Sequence, residues 1–501
     1  MASDSRTLLR CVESLDVWGH IALYVEPGDL LTLRKTCRAF YDLTRRPFVW
    51  IQAAKTLCSE LGMLAASFPF ASMSLSDLEH LALSPSMFQA KIDANNGSSI
   101  PVAHSRTFMP LLGATGEVLR KIDSIHIIPG GRFLLTCTNG AGVYLWDLGR
   151  NAANPPKLRP LAHLTIKVDF EISRPALLQQ GIRFDSFATS LASADTSTGG
   201  ASRTPGYFRK AFTIRFKDDA NKATFCEPAQ FVNLGRVPSV AARHSNTSAL
   251  LYPNSLKVTL FKLSTKKKSV WVGWDLPRVP QSVAIYDTTV ISCDSDAIYV
   301  HEAPPSLQWD NSPVSIDLVP KLVMKRPQVD TIVMLKAPEW NSTPITKKVL
   351  CILGSTPTRQ SLHCYQVEKI SSAAGSQLPS WLPTQSACYP SIEDACGIPI
   401  LQTQTGDSLH QTSDGFIISG LTTGNQFALI KCPTPKTVKS TPEPLIAVKL
   451  TDRRELNPSH ASLYRICCAT GRLVTALPPL NDNGGWRIRI DDFLAPPSLY
   501  E

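Results

Sequence analysis

Residues 12–50, VESLDVWGHIALYVEPGDLLTLRKTCRAFYDLTRRPFVW, set the strongest constraint on this chain, because their spacing calls for three short helices packed in a tight trio. Leu15 stands before the first helix, and Val17, Ile21 and Val25 recur at i, i+4, i+8 with Trp18 and Ala22 beside them. Glu26-Pro27-Gly28-Asp29 breaks the chain, with Asp29 the expected N-cap of the next helix. Leu30, Leu31 and Leu33 fill that helix. Thr36, Phe40 and Leu43 form another apolar face, which Pro47 stops before Phe48 and Trp50. About forty residues bury too little apolar surface to be stable alone without disulfides or a metal. Such a unit needs a partner surface, which points to binding rather than chemistry.

The stretch resembles the F-box. That family's pattern is a Leu-Pro start, an apolar helix, a turn, Asp-Leu-Leu, a Leu-Arg-x-x-Cys-Arg run and a closing Trp. Here those positions are Leu15, Asp16 to Val25, Glu26–Gly28, Asp29-Leu30-Leu31, Leu33 to Arg38, and Trp50. Asp16 replaces the family's Pro and can serve as an N-cap. The resemblance implies binding to the Skp-type adaptor of a cullin–RING (SCF-type) ubiquitin ligase. The adaptor contacts it implies are Leu15, Val17, Trp18, Ile21, Leu30, Leu31, Leu33, Cys37, Phe40 and Trp50, with Cys37 expected to be buried.

The chain is 43% hydrophobic and 18% charged, which are globular values that allow a large core. No apolar run approaches the ~18–20 residues that a membrane span needs, and the N-terminus lacks the apolar segment of a secretory signal. Thirteen cysteines, an odd number without any C-x-x-C, argue for buried thiols in a reducing compartment. An intracellular location, cytoplasmic and/or nuclear, is expected. The net charge of +10 belongs to the part after residue 100, since residues 1–100 are nearly balanced. The longest basic run, Lys266–Lys268, is expected at a hairpin tip.

Residues 51–92 continue as helix, with Ser76 as a candidate cap, and NNGSSIP (95–101) is a turn-rich boundary. From about residue 120 the period becomes two. IDSIHIIPGGRFLLTCTNGAGVYLWDL reads as three strands joined by Pro-Gly-Gly and Asn-Gly turns and ending in Trp146-Asp147. This resembles one blade of a WD-repeat propeller. VYLWDL (143–148) aligns with VTLFKL (258–263), IYVHEA (298–303) and IRIDDF (488–493), preceded by FLLTC, SALLY, TVISC and LYRICC. KVLCILG with LHCYQV (362–367) and FIISGL with FALIKC (427–432) add two copies, and a degenerate unit lies between 160 and 230. That makes seven. Trp274-Asp275-Leu276 is assigned to the outer strand of a preceding blade. A pair of β-sandwiches is the alternative. Ser/Thr/Gly/Pro-rich stretches at 190–206, 371–383 and 432–444 are expected as loops.

No H-E-x-x-H, G-x-S-x-G, P-loop or EF-hand pattern occurs. His126 and His301 fall within strands, as packed residues. Asp491 and Asp492 are adjacent on a strand and therefore face opposite ways. Glu393-Asp394 is expected in a loop. In YFRKAFTIRFK (207–217), Phe212, Ile214 and Phe216 alternate with Thr213, Arg215 and Lys217, the pattern of a half-buried strand rather than a nucleic-acid platform.

The expected fold is multidomain α+β: an all-α F-box at 12–51, a helical linker at 52–100, and a large all-β propeller of about seven blades at 101–501. The expected function is non-catalytic: the propeller holds a protein target, and Arg132 and Arg472, both in glycine-containing turns, are candidate rim residues for it. No catalytic residue, metal or cofactor is expected, nor membrane or nucleic acid as partner. The alternatives are a scaffold acting outside ubiquitination, a polyanion-binding propeller, and a propeller enzyme.

Overall fold

The structure is a computed structural model that describes residues 15–113 and 116–166 and, from 170 to 497, the strands given below with parts of their connections. Its N-terminal arm is helical: α1 (Leu15–Ala22), α2 (Pro27–Arg34), α3 (Arg38–Thr44), α4 (Pro47–Glu60) and α5 (Leu75–Ala94). Pro47 starts a helix instead of only stopping one, because a proline at the first helical position lacks an N–H that would be unpaired anyway. Pro27 starts α2 in the same way, so Glu26 is its cap residue and Asp29 sits inside the first turn. The cap of α5 is Ser74, whose Oγ accepts from the Asp77 N–H at 3.1 Å, two residues earlier than Ser76.

Ala22, Leu30, Leu43, Val49, Trp50 and Ala53 meet Leu78 and Ala82 of α5 in one buried cluster. The Trp50 indole donates to the Thr44 carbonyl at 2.6 Å. Arg34 lies 5.7 Å over the Trp50 ring, ion-pairs with Glu79 and donates to the Thr44 carbonyl. The short helices are thus completed on one side by the chain's own linker.

Seven antiparallel sheets with four strand positions each follow, beside a two-stranded ladder of Leu111–Leu112 with Glu117–Val118. Sheet 1 is Ser124–Ile127, Phe133–Thr138, Gly142–Asp147 and Ala162–Thr165. Sheet 2 has Gly181–Ser190 and Gly206–Phe216 at its centre, flanked by Phe170–Ile172 with Ala176–Leu178 and by Ala223–Cys226 with Phe231–Asn233. Sheet 3 is Val240–His244, Thr247–Leu251, Lys257–Lys262 and Val270–Gly273. Sheet 4 is Ser282–Tyr286, Thr289–Cys293, Ala297–Glu302 and Leu322–Lys325. Sheet 5 is Thr331–Lys336, Lys347–Ser355, Gln360–Lys369 and Trp381–Tyr389. Sheet 6 places Leu401–Gln402 and Leu409–Gln411 before Gly415–Thr422, Phe427–Pro433 and Ile446–Lys449. Sheet 7 takes Tyr464–Cys467, Arg472–Leu477 and Arg487–Asp492 from the end of the chain. Its fourth strand, His104–Phe108, comes from the start of the β region, with His104 opposite Asp492.

The buried clusters lie between successive sheets. Ile488, Ile490 and Val474 of sheet 7 meet Ile125, Leu134 and Trp146 of sheet 1. Leu135, Val143 and Leu145 meet Ile182, Phe184 and Ile214 of sheet 2. Further clusters join sheets 4 and 5, 5 and 6, and 6 and 7. Sheets that share cores side by side, with the last completed by the first strand, form a closed seven-bladed propeller. Each aligned motif is the third strand of a sheet, counting outwards from the first strand of each repeat. LYRICC is the first strand of sheet 7 rather than the second, a place filled by RLVTAL (472–477). The WLP of 371–383 belongs to a strand, and Glu393-Asp394 lie in a short helix, α6 (Ile392–Cys396). Lys266–Lys268 and Trp274–Leu276 lie outside the described residues.

One ladder device recurs. The residue ending the third strand is an acid bonded to the residue at, or just before, the start of the second strand. Asp147 takes Arg132 at 2.9 and 3.1 Å, Glu302 takes Thr289 at 2.5 Å, and Asp492 takes Arg472 at 2.6 Å. Trp146, beside Asp147, donates from its indole to Thr136 Oγ1 at 2.9 Å.

Candidate protein-docking face

On α1 and the turn that follows it, Val17, Ile21 and Tyr24 follow one another at i, i+4, i+7 and are 55%, 43% and 90% exposed. The opposite side of this helix and its turn holds Ala22 in the core, with Trp18 edge-on to Phe40 at 4.9 Å. Three large apolar side chains exposed side by side mark a surface suited to covering by a partner. Leu31, Leu33 and Phe40 are half-buried. Leu30 and Trp50, expected on the contact surface, are core residues with no accessible area, because α5 packs over them. Cys37, expected to be buried, is exposed: it stands between α2 and α3 in extended conformation as the residue before a new helix. The Leu15 side chain is outside the described residues. Tyr24, Tyr41 and Phe48, which the family's pattern does not single out, are also exposed. Tyr24 continues the Val17, Ile21 spacing by one turn and carried that signal.

The arm is fixed to the propeller. Lys91 Nζ donates to the Phe493 carbonyl at 2.7 Å, Lys431 pairs with Asp93 at 2.9 Å, and the Ala447 N–H donates to Asn96 Oδ1 at 3.1 Å. The Leu64 N–H donates to the Pro129 carbonyl at 3.1 Å, and Asn151 Nδ2 to Asp77 at 2.8 Å. Phe88 and Ile92 enter the cluster between sheets 6 and 7. The partners from sheets 1 and 7 lie in first-to-second-strand turns or just beyond third-strand ends, so the arm covers one end of this ring. The second-to-third-strand turns and the connections between sheets lie at the other end. Between α5 and sheets 1 and 7 a cavity of about 30 Å³ remains, lined in part by His80, Arg150 and Arg472, with room for about two waters. Burial holds the His80 imidazole below its ordinary value, against the pull of Asp77 and Asp492.

Gly471 makes this seat possible. Its φ of +59° lies in the left-handed region, and a Cβ there would stand 2.8 Å from the Phe88 ring. Gly471→Val therefore adds roughly 1–2 kcal/mol of backbone strain and about 1–3 kcal/mol of overpacking at the seam. The arm is expected to lift from sheet 7, so that limited proteolysis cleaves the connection between residues 94 and 104 faster while the helical arm stays folded.

Arg132 and Arg472 do not form a cationic rim. Both are buried, Arg472 with only 2% of its surface accessible. Arg132 clamps Asp147 and donates to the Ser67 carbonyl at 2.9 Å. Arg472 binds Asp492 and donates to the Gly131 and Gly149 carbonyls, both at 2.7 Å. A turn position suggested exposure, but the acid at the end of the neighbouring strand draws each guanidinium inwards. Despite burial, Asp147 is held below its ordinary value by Arg132, the Gly149 N–H and Lys157.

Asp491 and Asp492 diverge: Asp491 takes Ser105 Oγ at 2.6 Å and Arg489 at 2.9 Å, while Asp492 takes Arg472 and Arg106. His126 and His301 are buried in strands. Phe212 and Ile214 are buried while Arg215 is exposed. Burial pushes the Cys58 and Cys137 thiols up to about 12. Among the described residues, no group of three His, Cys, Asp or Glu side chains is arranged to hold a metal ion, and no helix is long and apolar enough to cross a membrane.

The F-box domain family matches residues 14–52. No curated protein matches the chain. Among solved structures, AztD of Citrobacter koseri is similar at 12% identity over 69% of this chain and 77% of its own, with a TM-score of 0.34. Apo AztD of the same organism gives 13%, 69%, 78% and 0.34. Hsv2 of Kluyvelomyces marxianus gives 10% identity over 55% of this chain and 86% of its own, with a TM-score of 0.28. Likenesses this distant carry no argument, and the propeller assignment rests on the connectivity of the sheets. Residues 14–52 of the chain match the F-box domain, and the arm they belong to sits on one end of a seven-bladed propeller.

Proposed function

We propose that this chain is a non-catalytic substrate-recognition subunit of a cullin–RING ubiquitin ligase of the SCF type. The F-box binds a Skp-type adaptor, which links it to the cullin, and the propeller holds a protein target. The observation that carries the reading is an F-box whose core is closed by α5 while the Val17, Ile21, Tyr24 row is left exposed. Fixing of the arm to sheets 1, 6 and 7 supports a positioning role, in which target lysines and charged ubiquitin carrier are held at high effective concentration. We place the target at the end of the ring away from the arm, and the protein in the cytoplasm and/or nucleus.

The test is affinity capture of the full chain and of a Val17→Asp, Ile21→Asp double variant. Both positions are exposed, so folding is expected to be retained. A carboxylate buried unpaired at an apolar interface is strongly unfavourable, and adaptor affinity is expected to fall by about 100-fold or more. Cullin is lost with the adaptor, while proteins held by the propeller stay bound. Adaptor capture without cullin from the unmodified chain would support a scaffold outside ubiquitination and overturn the ligase role. Equal capture by both chains would overturn the docking face.

A further inference from the structure

The seam between the arm and the ring encloses a group that titrates near neutral pH. Asp77, His80, Leu81 and Ser84 recur at i, i+3, i+4, i+7 on α5 and line the cavity between that helix and sheets 1 and 7. Across it stand Arg150, from the connection after the third strand of sheet 1, and Arg472 and Asp492 of sheet 7. Both carboxylates are already engaged. Asp77 accepts from Ser74 Oγ at 2.9 Å and from Asn151 Nδ2 at 2.8 Å, and Asp492 takes Arg472 and Arg106. His80 Nδ1 and Arg150 Nη1 are both closed off from solvent, and the latter has no hydrogen-bond acceptor among the described residues.

A proton on His80 adds a third positive charge to a space that already faces two guanidiniums and has little room for water. We infer that protonation of His80 loosens the seat of the helical arm, so that the seam between α5 and the propeller opens more often in mildly acidic solution. The neutral ring is the form that fits. Burial is the largest influence on it and outweighs the pull of Asp77 and Asp492, while Arg472 acts with burial, so the docked imidazole is held below its ordinary 6.5. In a lifted arm the same face of α5 meets water and the ordinary value returns. Lifting therefore takes up a proton, and docking weakens as pH falls through 6.5. Above that value docking is at full strength, and below the docked value the loss grows no further. The inference concerns the arm and the ring alone and is independent of what the α1 row binds.

Cleavage of the connection between residues 94 and 104 of the full chain by a protease of broad specificity, from about pH 7.5 to about pH 5.5, tests it. His80→Gln and His80→Asn are neutral throughout, so the ratio of wild-type to variant rate cancels the protease's own pH dependence, and either variant that folds serves. That ratio is expected to rise several-fold over the range, with about tenfold as the ceiling set by an ordinary histidine in the lifted arm. A ratio that does not change with pH overturns the inference. So does a rise that comes with loss of the β circular-dichroism signal in the wild type, which would mark unfolding of the ring instead of lifting of the arm. An NMR titration in which the imidazole resonance missing from the variant ionises at 6.5 or above overturns it as well.

Discussion

Asp492→Ala is expected to lower the stability of the propeller by roughly 3–5 kcal/mol, the cost of leaving buried charge without its partner. Asp492 sits where the ring closes. Its two oxygens take Arg472 at 2.6 Å from its own sheet and Arg106 at 2.8 Å from the strand that arrives from the beginning of the β region. Arg472 also reaches the Gly131 and Gly149 carbonyls of sheet 1. One carboxylate therefore compensates two guanidiniums, each with little access to water, across the joint between the first and last sheets. Removing it leaves both charges inside, and the closing strand loses its ionic anchor next to the His104–Asp492 pairing. Asp492→Asn keeps an acceptor and is expected to cost less. Urea unfolding followed by tryptophan fluorescence reads the difference, since Trp146 and Trp486 belong to the buried cluster at this joint. A midpoint unchanged by Asp492→Ala would show that hydrogen bonds and packing alone hold the ring shut.

Trp50→Ala is the second large effect, and it should be confined to the arm. The Trp50 ring has no accessible surface, lies under Arg34, and joins α4 to α3 through the indole bond to Thr44. Truncating a buried aromatic costs about 3–5 kcal/mol, a large share of what a unit this small can have. Circular dichroism should show loss of helical signal with the β signal kept, and adaptor capture should fail. Phe48→Ala, two residues away and half-exposed, is expected to change stability by no more than about 0.5 kcal/mol. The pair separates a scaffold residue from a surface residue within one motif.

Much of this architecture could be read from residue order because both periods are strong. The aligned third strands carry a two-residue alternation that sheet burial demands, and all fall in the same position of their sheets. The α1 row was visible as Val17 and Ile21, although periodicity alone could not say which apolar face would be covered. That depends on α5, which starts some fifty residues further on and whose Leu78 and Ala82 claim Leu30 and Trp50. Arg132 and Arg472 were misplaced for a related reason. A glycine turn is a local signal of exposure, whereas the acids that bury them, Asp147 and Asp492, become neighbours only through strand pairing. The His104–Phe108 strand gave no hint of its role, since its partner lies at the far end of the chain.

That distance has a consequence during synthesis. Lys91 and its partner Phe493 are 402 positions apart, and at about 5–20 residues per second the ribosome needs roughly 20–80 s to travel between them. For most of that interval the helical arm exists while the ends of sheets 6 and 7 that will receive it do not. Phe88 and Ile92, destined for that cluster, must wait in contact with solvent or a chaperone. A nascent chain stalled before residue 430 should therefore already be able to recruit a partner through its helices, while still lacking the seat that aims that partner at a target.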